Sequence, residues 1–250
     1  MSFPLEDKVA LVTGGAIRLG RAIALRLAHA GCDVIIHYRN SRDDADDLAE
    51  EIRALGRQAW ILHADFSEGD VAEDFLRTAW DTAGWIDILV NNAANYSRQP
   101  IIDAEESDIF EQWHLNTLTP MMLAKSFAKC VGASDILPAD YLGHVVNILD
   151  RAIASPDVGA LPYWVSKKAL EAYTLGAAKE LAPRITVNAI APGPVIAPDP
   201  IESPGELAGP MLLSTRCSPD DIGNAVVYLA TSRCITGQVL FVDSGQHLLR

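Results

Sequence analysis

The chain has 250 residues, 49% of them hydrophobic and 21% charged, enough to bury a large core and too even in composition to suggest two domains joined by a linker. Its formal charge of −13 at pH 7 would repel a nucleic-acid backbone or an anionic membrane, which leaves small molecules as the expected partners. The four cysteines, Cys32, Cys130, Cys217 and Cys234, are widely spaced, with neither a CxxC pair nor the density of a disulfide framework, so a reducing cytoplasm is the expected setting and no metal is expected. The opening MSFPLEDKVALVTGG has no basic segment and no apolar stretch long enough for a signal or a span.

The first strand is predicted over Val9–Thr13, followed by TGGAIRLGRA from Thr13 to Ala22 and a helix over Arg21–Ala30. Glycines between a strand and a helix let the backbone turn sharply and bring amides near a pyrophosphate at the helix N-terminus. Arg18 stands in this turn where a glycine would be unremarkable. A cation is disfavoured near a helix N-terminus unless an anion lies close, and a bound phosphate would supply one; a solvated first-turn side chain is the plainer alternative.

The second strand, Asp33–His37, runs into IIHYRNS and then a helix over Asp43–Leu55. An NAD site carries an acid at this strand end to bind the ribose 2′-hydroxyl, and none is present. Arg39 is instead suited to fork onto a 2′-phosphate, with Asn40 and Ser41 as further donors, so NADP(H) is expected over NAD(H). The third strand, Gln58–His63, leads to Asp65 in HADFS, which suits either a bond from the adenine amino group or a plain turn or N-cap. The remaining strands are predicted over Ile86–Asn91, Val145–Ile148, Ile185–Ile190 and Val239–Val242. Strands alternating with helical segments give the expected fold: an α/β, Rossmann-type, doubly wound parallel sheet of about seven strands with helices on both faces, in a single domain spanning residues 1–250. The Pro- and Gly-rich stretch Pro192–Pro210 follows the sixth strand and reads as part of a substrate loop at about 194–218, since such sheets bind ligands beyond the carboxyl ends of their strands.

Between the fifth and sixth strands the sequence NILDRAIASPDVGALPYWVSKKAL places Tyr163 and Lys167 one helical turn apart, on one face. A nearby ammonium favours phenolate and makes tyrosine a usable proton donor. Asp150 lies thirteen residues before Tyr163. An ionised carboxylate opposes the charge that develops when a ketone oxygen becomes an alkoxide, but suits a substrate with N–H donors or a ring nitrogen awaiting a proton. The alternative is that Asp150 only caps a turn and faces solvent. Ser155, before Pro156, comes too late to take its place.

Together, Thr13–Gly20, Asn91–Ala93, Asn116 in HLNTLTP, Tyr163 with Lys167, and Pro192-Gly193 resemble the short-chain dehydrogenase/reductases over essentially the whole chain. The resemblance implies that Tyr163 is the acid/base, that Lys167 lowers its pKa and holds the nicotinamide ribose, and that Asn116 supports a proton-relay water. That family normally has a serine where this chain has Asp150. The pteridine reductases share the present combination: TGxxxRxG, here Thr13, Gly14, Arg18 and Gly20; an HxR strand end, here His37 and Arg39; and an Asp before YxxxK. The resemblance implies that Arg18 touches both cofactor phosphate and pterin and that Tyr96, after NNAAN, stacks on the pterin ring; taken alone, Tyr96 is an ordinary loop aromatic.

The implied cofactor contacts are Gly14, Arg18, Leu19 and Gly20 in the first turn, and Tyr38, Arg39, Asn40 and Ser41 after the second strand. Asp65 and Phe66 follow the third strand, Asn92 and Ala93 the fourth, and Lys167, Pro192, Gly193 and Val195 complete the set. Two departures stand out: Ala94 and Asn95 replace serines found in some pteridine reductases, and Ala197 replaces the threonine of PGxxxT, so backbone near Val195 and Ile196 is expected to meet the carboxamide. The expected activity is NADPH-dependent reduction of a pterin C=N bond of dihydrobiopterin, dihydromonapterin or dihydrofolate type, by a homotetramer. The alternatives are a reductase of 3-oxoacyl thioesters or ketones, and a non-catalytic NADP(H) sensor; one scaffold serves many substrates.

Overall fold

The fold rests on apolar runs short enough to be strands and long enough to be buried on both faces. In a computed structural model, which describes residues 3–67, 69, 71–156, 158–195 and 210–249, these form seven parallel strands in the order β3-β2-β1-β4-β5-β6-β7. They are β1 (Val9–Val12), β2 (Asp33–Tyr38), β3 (Ala59–His63), β4 (Ile88–Asn91), β5 (Gly143–Ile148), β6 (Ile185–Pro192) and β7 (Val239–Val242). Alternate residues serve opposite faces. Val12, Ile36 and Val90 join one core with α1 (Arg18–His29), α2 (Arg42–Ala54) and α7 (Pro219–Thr231). Leu11, Ile35 and Leu89 join the other with α3 (Val71–Ala83) and α5 (Thr119–Ala133). All four residues of VALV are buried, which is why the run shows no polar alternation.

On that second side also lie α4 (Glu106–Trp113) and α6 (Leu161–Glu180). A π-helical turn, His114–Leu118, joins α4 to α5. In α6 the buried residues Tyr163, Ser166, Lys167, Leu170, Thr174, Ala177 and Ala178 recur at three and four. Tyr163 and Lys167 therefore share the stripe that faces the sheet. No helix among the described residues is long and apolar enough to cross a membrane.

The expected element boundaries move by a few residues. The first helix begins at Arg18 rather than Arg21, β4 at Ile88 rather than Ile86, and β5 at Gly143 rather than Val145, while β6 runs on to Pro192. The last shift comes from pairing with β7, which matches Pro192 to Val242 in register. The order of strands reverses between β1 and β4, and at such a switch the carboxyl strand ends open a crevice for ligand. Thr13–Gly20 and Asn91–Ala93 flank it.

Candidate active site

The first turn is built by interlocking backbone. Gly14 has φ +59°, a conformation open to glycine. Its N–H donates to His37 Nδ1 at 2.9 Å, while the Gly15 N–H donates to the His37 carbonyl at 2.9 Å. Thr13 Oγ1 accepts from the N–H groups of Asn92 and Ala93 at 2.9 and 3.0 Å, and Asn92 Nδ2 donates to the carbonyls of Thr13 and Gly14. A Cβ on Gly20 would collide with the Gly14 carbonyl oxygen. The turn thus brings backbone against backbone at the start of α1, a cradle that suits a pyrophosphate and that a side chain at Gly20 would fill.

Arg18, the first residue of α1, has φ +53°. A residue with a Cβ is strained there by about 1–2 kcal/mol, and Arg18 lines the cavity described below.

His37 departs from the expected basic strand end. Its ring is buried, stacked on Phe66 at 4.3 Å and 28°, and edge-on to Phe75. Nδ1 accepts from Gly14 and Nε2 therefore donates to the Ala64 carbonyl at 3.0 Å. Burial pushes its pKa down to about 4, so His37 is a neutral strut for the glycine turn and, of the HxR pair, only Arg39 is charged. The Arg39 side chain is half exposed, with Nη1 4.0 Å from Asp65 Oδ1. That oxygen accepts from the Ser67 hydroxyl at 2.7 Å and the Ser67 N–H at 2.9 Å, and these bonds, the hydroxyl first, hold the Asp65 pKa below its ordinary value. Asp65 is therefore a turn aspartate in this structure. A further cation, Arg42, donates to Tyr38 Oη at 3.2 Å and to Asp46 Oδ2 at 3.2 Å. It starts α2 just after Ser41, and the basic residue in RNSR was the signal for it.

A cavity of about 440 Å³ brings together twelve of the expected cofactor contacts: Gly14, Arg18, Leu19, Gly20, Tyr38, Arg39, Asn40, Ser41, Asp65, Phe66, Asn92 and Ala93. Ala94, Asn95 and Glu111 extend its wall. These residues fit a dinucleotide phosphate carrier: a tight backbone cradle at one end, Arg39 without an acid at the β2 end at the other. Pro192, Gly193 and Val195 lie apart from that wall, at the end of β6. Gly193 donates its N–H to the Val242 carbonyl, and a Cβ there would meet Asp243 Cα at 2.9 Å. Ile196, Ala197 and most of the expected substrate loop fall outside the described residues. A larger cavity, about 610 Å³, opens near Lys8, Trp85, Asp87 and His144. It sits at the amino ends of the strands, the opposite edge from the ligand crevice.

Asp150 ends the segment after β5 and starts a 3₁₀ turn, Arg151–Ala154. One oxygen, Oδ1, accepts from the Ala152 N–H at 2.7 Å, and the other, Oδ2, accepts from Tyr163 Oη at 3.0 Å. The carboxylate thus caps a turn and meets the tyrosine at once. Ser155 closes the same turn through its N–H to the Ala152 carbonyl. Lys167 is buried and donates from Nζ to the Ile148 carbonyl at 2.8 Å, with Nζ 5.9 Å from the centre of the Tyr163 ring. Burial pulls its pKa down to about 8, opposed by the attraction of Asp150. Tyr96 stands edge-on to Tyr163, ring centres 4.8 Å apart, and is half exposed.

Asn116 sits in the π-helical turn, a feature enriched at functional sites. Its Oδ1 accepts from the Asn95 N–H at 2.9 Å, and its Nδ2 faces the Asn95 carbonyl, Gln112 Oε1 and Ser166 Oγ at 2.9–3.2 Å. It joins the NNAAN loop to α6 at Ser166, between Tyr163 and Lys167 in sequence. Asn95 reaches Glu111 Oε1 at 2.7 Å, so the position taken by serine elsewhere faces the helix here.

The chain matches the family model of short chain dehydrogenase over residues 8–199. The solved FolM alternative dihydrofolate reductase 1 of Brucella canis, complexed with NADP, superposes with a TM-score of 0.89 at 34% identity, covering 99% of this chain and 97% of that one. An uncharacterised oxidoreductase of Mycobacterium tuberculosis is 36% identical over 97% of this chain and 93% of its own length. The 3-oxoacyl-[acyl-carrier-protein] reductase FabG of Staphylococcus epidermidis is 30% identical over 97% of this chain and 100% of its own. With a glycine turn, a Tyr163–Lys167 stripe and a seven-stranded parallel sheet in place, the chain belongs to the short-chain dehydrogenases, a family of oxidoreductases.

Proposed function

We propose that the protein is an NADPH-dependent reductase of a pterin C=N bond. The solved relatives bound to NADP support the cofactor, and the cavity around Arg39 supports the same choice: a half-exposed guanidinium at the end of β2, without the acid that a 2′-hydroxyl would need. Arg18, Gly14, Gly20, Asn92 and Ala93 would hold the pyrophosphate side, and Arg39, Asn40 and Ser41 the 2′-phosphate, with Arg42 within a turn. When bound, the cofactor supplies a hydride.

The observation that carries the pterin assignment is the contact of Tyr163 Oη with Asp150 Oδ2 at 3.0 Å. Reducing a C=N bond requires a proton on nitrogen, and the product nitrogen is neutral. Tyr163 Oη holds that proton. The Lys167 ammonium offsets the phenolate left behind, while Asp150, which accepts the Tyr163 O–H, keeps the phenol protonated until the ring nitrogen takes the proton. Arg18 and Tyr96 would orient the ring. The FolM likeness supports this substrate class.

The FabG relatives favour a second reading, reduction of a 3-oxoacyl thioester. Nicotinamide absorbance, followed with dihydrobiopterin, dihydromonapterin, dihydrofolate and acetoacetyl thioester in parallel, decides between them when run on wild type and Asp150→Ser. Pterin turnover that falls about 100-fold or more in the variant is the expected result, within the ordinary range for loss of proton transfer. Thioester-only activity would overturn the assignment, and tight NADPH binding with no turnover of anything would indicate a sensor. The exposed apolar residues Val165 and Leu175 on α6, and Leu240, Leu248 and Leu249 at the C-terminal edge, support a homotetramer, which sedimentation equilibrium tests.

A further inference from the structure

We propose that Trp164 is a positioning residue that holds the Asp150 carboxylate in place while Tyr163 transfers its proton; the inference rests on the role given to Asp150 above. The 3₁₀ turn after Asp150 is internally bonded. Ile153 donates its N–H to the Asp150 carbonyl at 3.1 Å, Ser155 to the Ala152 carbonyl at 2.9 Å, and Ala152 to Asp150 Oδ1 at 2.7 Å. The turn therefore moves as a unit, carboxylate included. Hydrogen bonds from both Tyr163 and Trp164 join that unit to the first turn of α6. One is Tyr163 Oη to Asp150 Oδ2 at 3.0 Å, and the other is Trp164 Nε1 to the Ala152 carbonyl at 2.9 Å.

These two bonds differ in what the reaction does to them. Tyr163 must release its proton, so its bond to Asp150 is lost or remade in each turnover. The indole N–H does not titrate and serves as a donor throughout. It binds the turn at Ala152, the same residue whose N–H holds Asp150 Oδ1, so it fixes the carboxylate through one residue of backbone. The Ala152 carbonyl keeps its bond from Ser155 when the indole donor is gone, and loss of Trp164 Nε1 therefore leaves no buried carbonyl orphaned. What it releases is the register between the Asp150 turn and Tyr163.

The test is a double-mutant cycle of Trp164→Phe with Asp150→Ser, read as kcat for the reduced substrate, with KM for NADPH alongside. Contacting groups couple strongly enough that Trp164→Phe is expected to lower pterin kcat about tenfold in the wild-type background and less than about twofold in the Asp150→Ser background, leaving the NADPH KM unchanged. Equal losses in both backgrounds would mean that the indole merely supports α6, and would overturn the proposal. Where Asp150→Ser is too slow to measure, Asp150→Asn takes its place in the cycle: a loss confined to the carboxylate background supports the proposal, and equal losses in both overturn it. Trp164→His, which keeps a ring N–H donor, is expected to recover part of the loss, and it replaces the Phe variant if that one does not fold. If only the thioester is turned over, the pterin reading fails, yet the cycle still applies: Trp164→Phe then raises kcat, and the gain vanishes when it is combined with Asp150→Ser.

Discussion

Acidification from pH 7 to pH 5 should remove about 4 kcal/mol of folding stability through two buried histidines. His37 and His144 each have a folded-state pKa lowered to about 4 from an ordinary 6.5, in both cases chiefly by burial. Between those values the unfolded chain binds more protons, so each neutral ring contributes stability that is complete above pH 6.5 and is lost as pH falls through 4. At pH 5 the unfolded ring is almost wholly protonated and the folded one hardly at all, a difference of about 2 kcal/mol per histidine relative to pH 7. Set against a total of about 5–15 kcal/mol, the pair is decisive. Self-repulsion of a chain with formal charge −13 would weaken on the same descent and act the other way. The assay is urea unfolding at the two pH values on wild type and on His144→Asn, which keeps a polar partner for Thr186 Oγ1, 2.9 Å from His144 Nδ1. The variant is expected to lose about half as much stability across the interval. Equal losses in the two proteins, or no loss in wild type, would refute the assignment of neutral buried rings.

Arg39→Gln is expected to raise the KM for NADPH about 10- to 100-fold while leaving that for NADH nearly unchanged, as removal of a charge-assisted contact to a 2′-phosphate should; initial rates with both cofactors measure it. Arg18→Gly relieves a φ of +53° and should raise the urea midpoint of the free protein, by about 1 kcal/mol of stability, while weakening NADPH and pterin binding. Titration of cofactor fluorescence and pterin KM report the second half of that trade.

The strands were legible because both faces are covered, which leaves plain apolar runs such as VALV and ILV. The glycine turn and the Tyr163–Lys167 spacing were legible because each is local. Other features depend on residues distant in sequence. His37 looks basic beside Arg39, and only the packing of Phe66 and Phe75 around it makes it neutral. HLNTL carries no mark that separates a π-helical turn from ordinary helix, so the way Asn116 ties Asn95 to Ser166 was out of view. Asp150 offered two readings as a sequence position because a carboxylate has two oxygens, and its environment uses them separately. Trp164 carried no signal in the sequence, since its acceptor at Ala152 is set by the preceding turn.

Two positions break local preference on the ligand side of the sheet: an arginine in a glycine conformation, and a carboxylate against the tyrosine. Such departures persist where function holds them in place. For Asp150 the size of the effect separates the candidate substrates. Two full negative charges about 4 Å apart repel by about 4 kcal/mol at an effective dielectric near 20. A ketone oxygen carrying half a charge in its transition state would therefore feel about 2 kcal/mol from Asp150, a rate penalty of about 30-fold. A ring nitrogen receiving a proton carries no such charge and offers N–H groups to the same oxygen. Asp150→Ser should thus lower pterin turnover and raise acetoacetyl-thioester turnover about 30-fold, so the ratio of the two moves by more than either rate alone. A fall in both by the same factor would mean that the carboxylate only holds the turn.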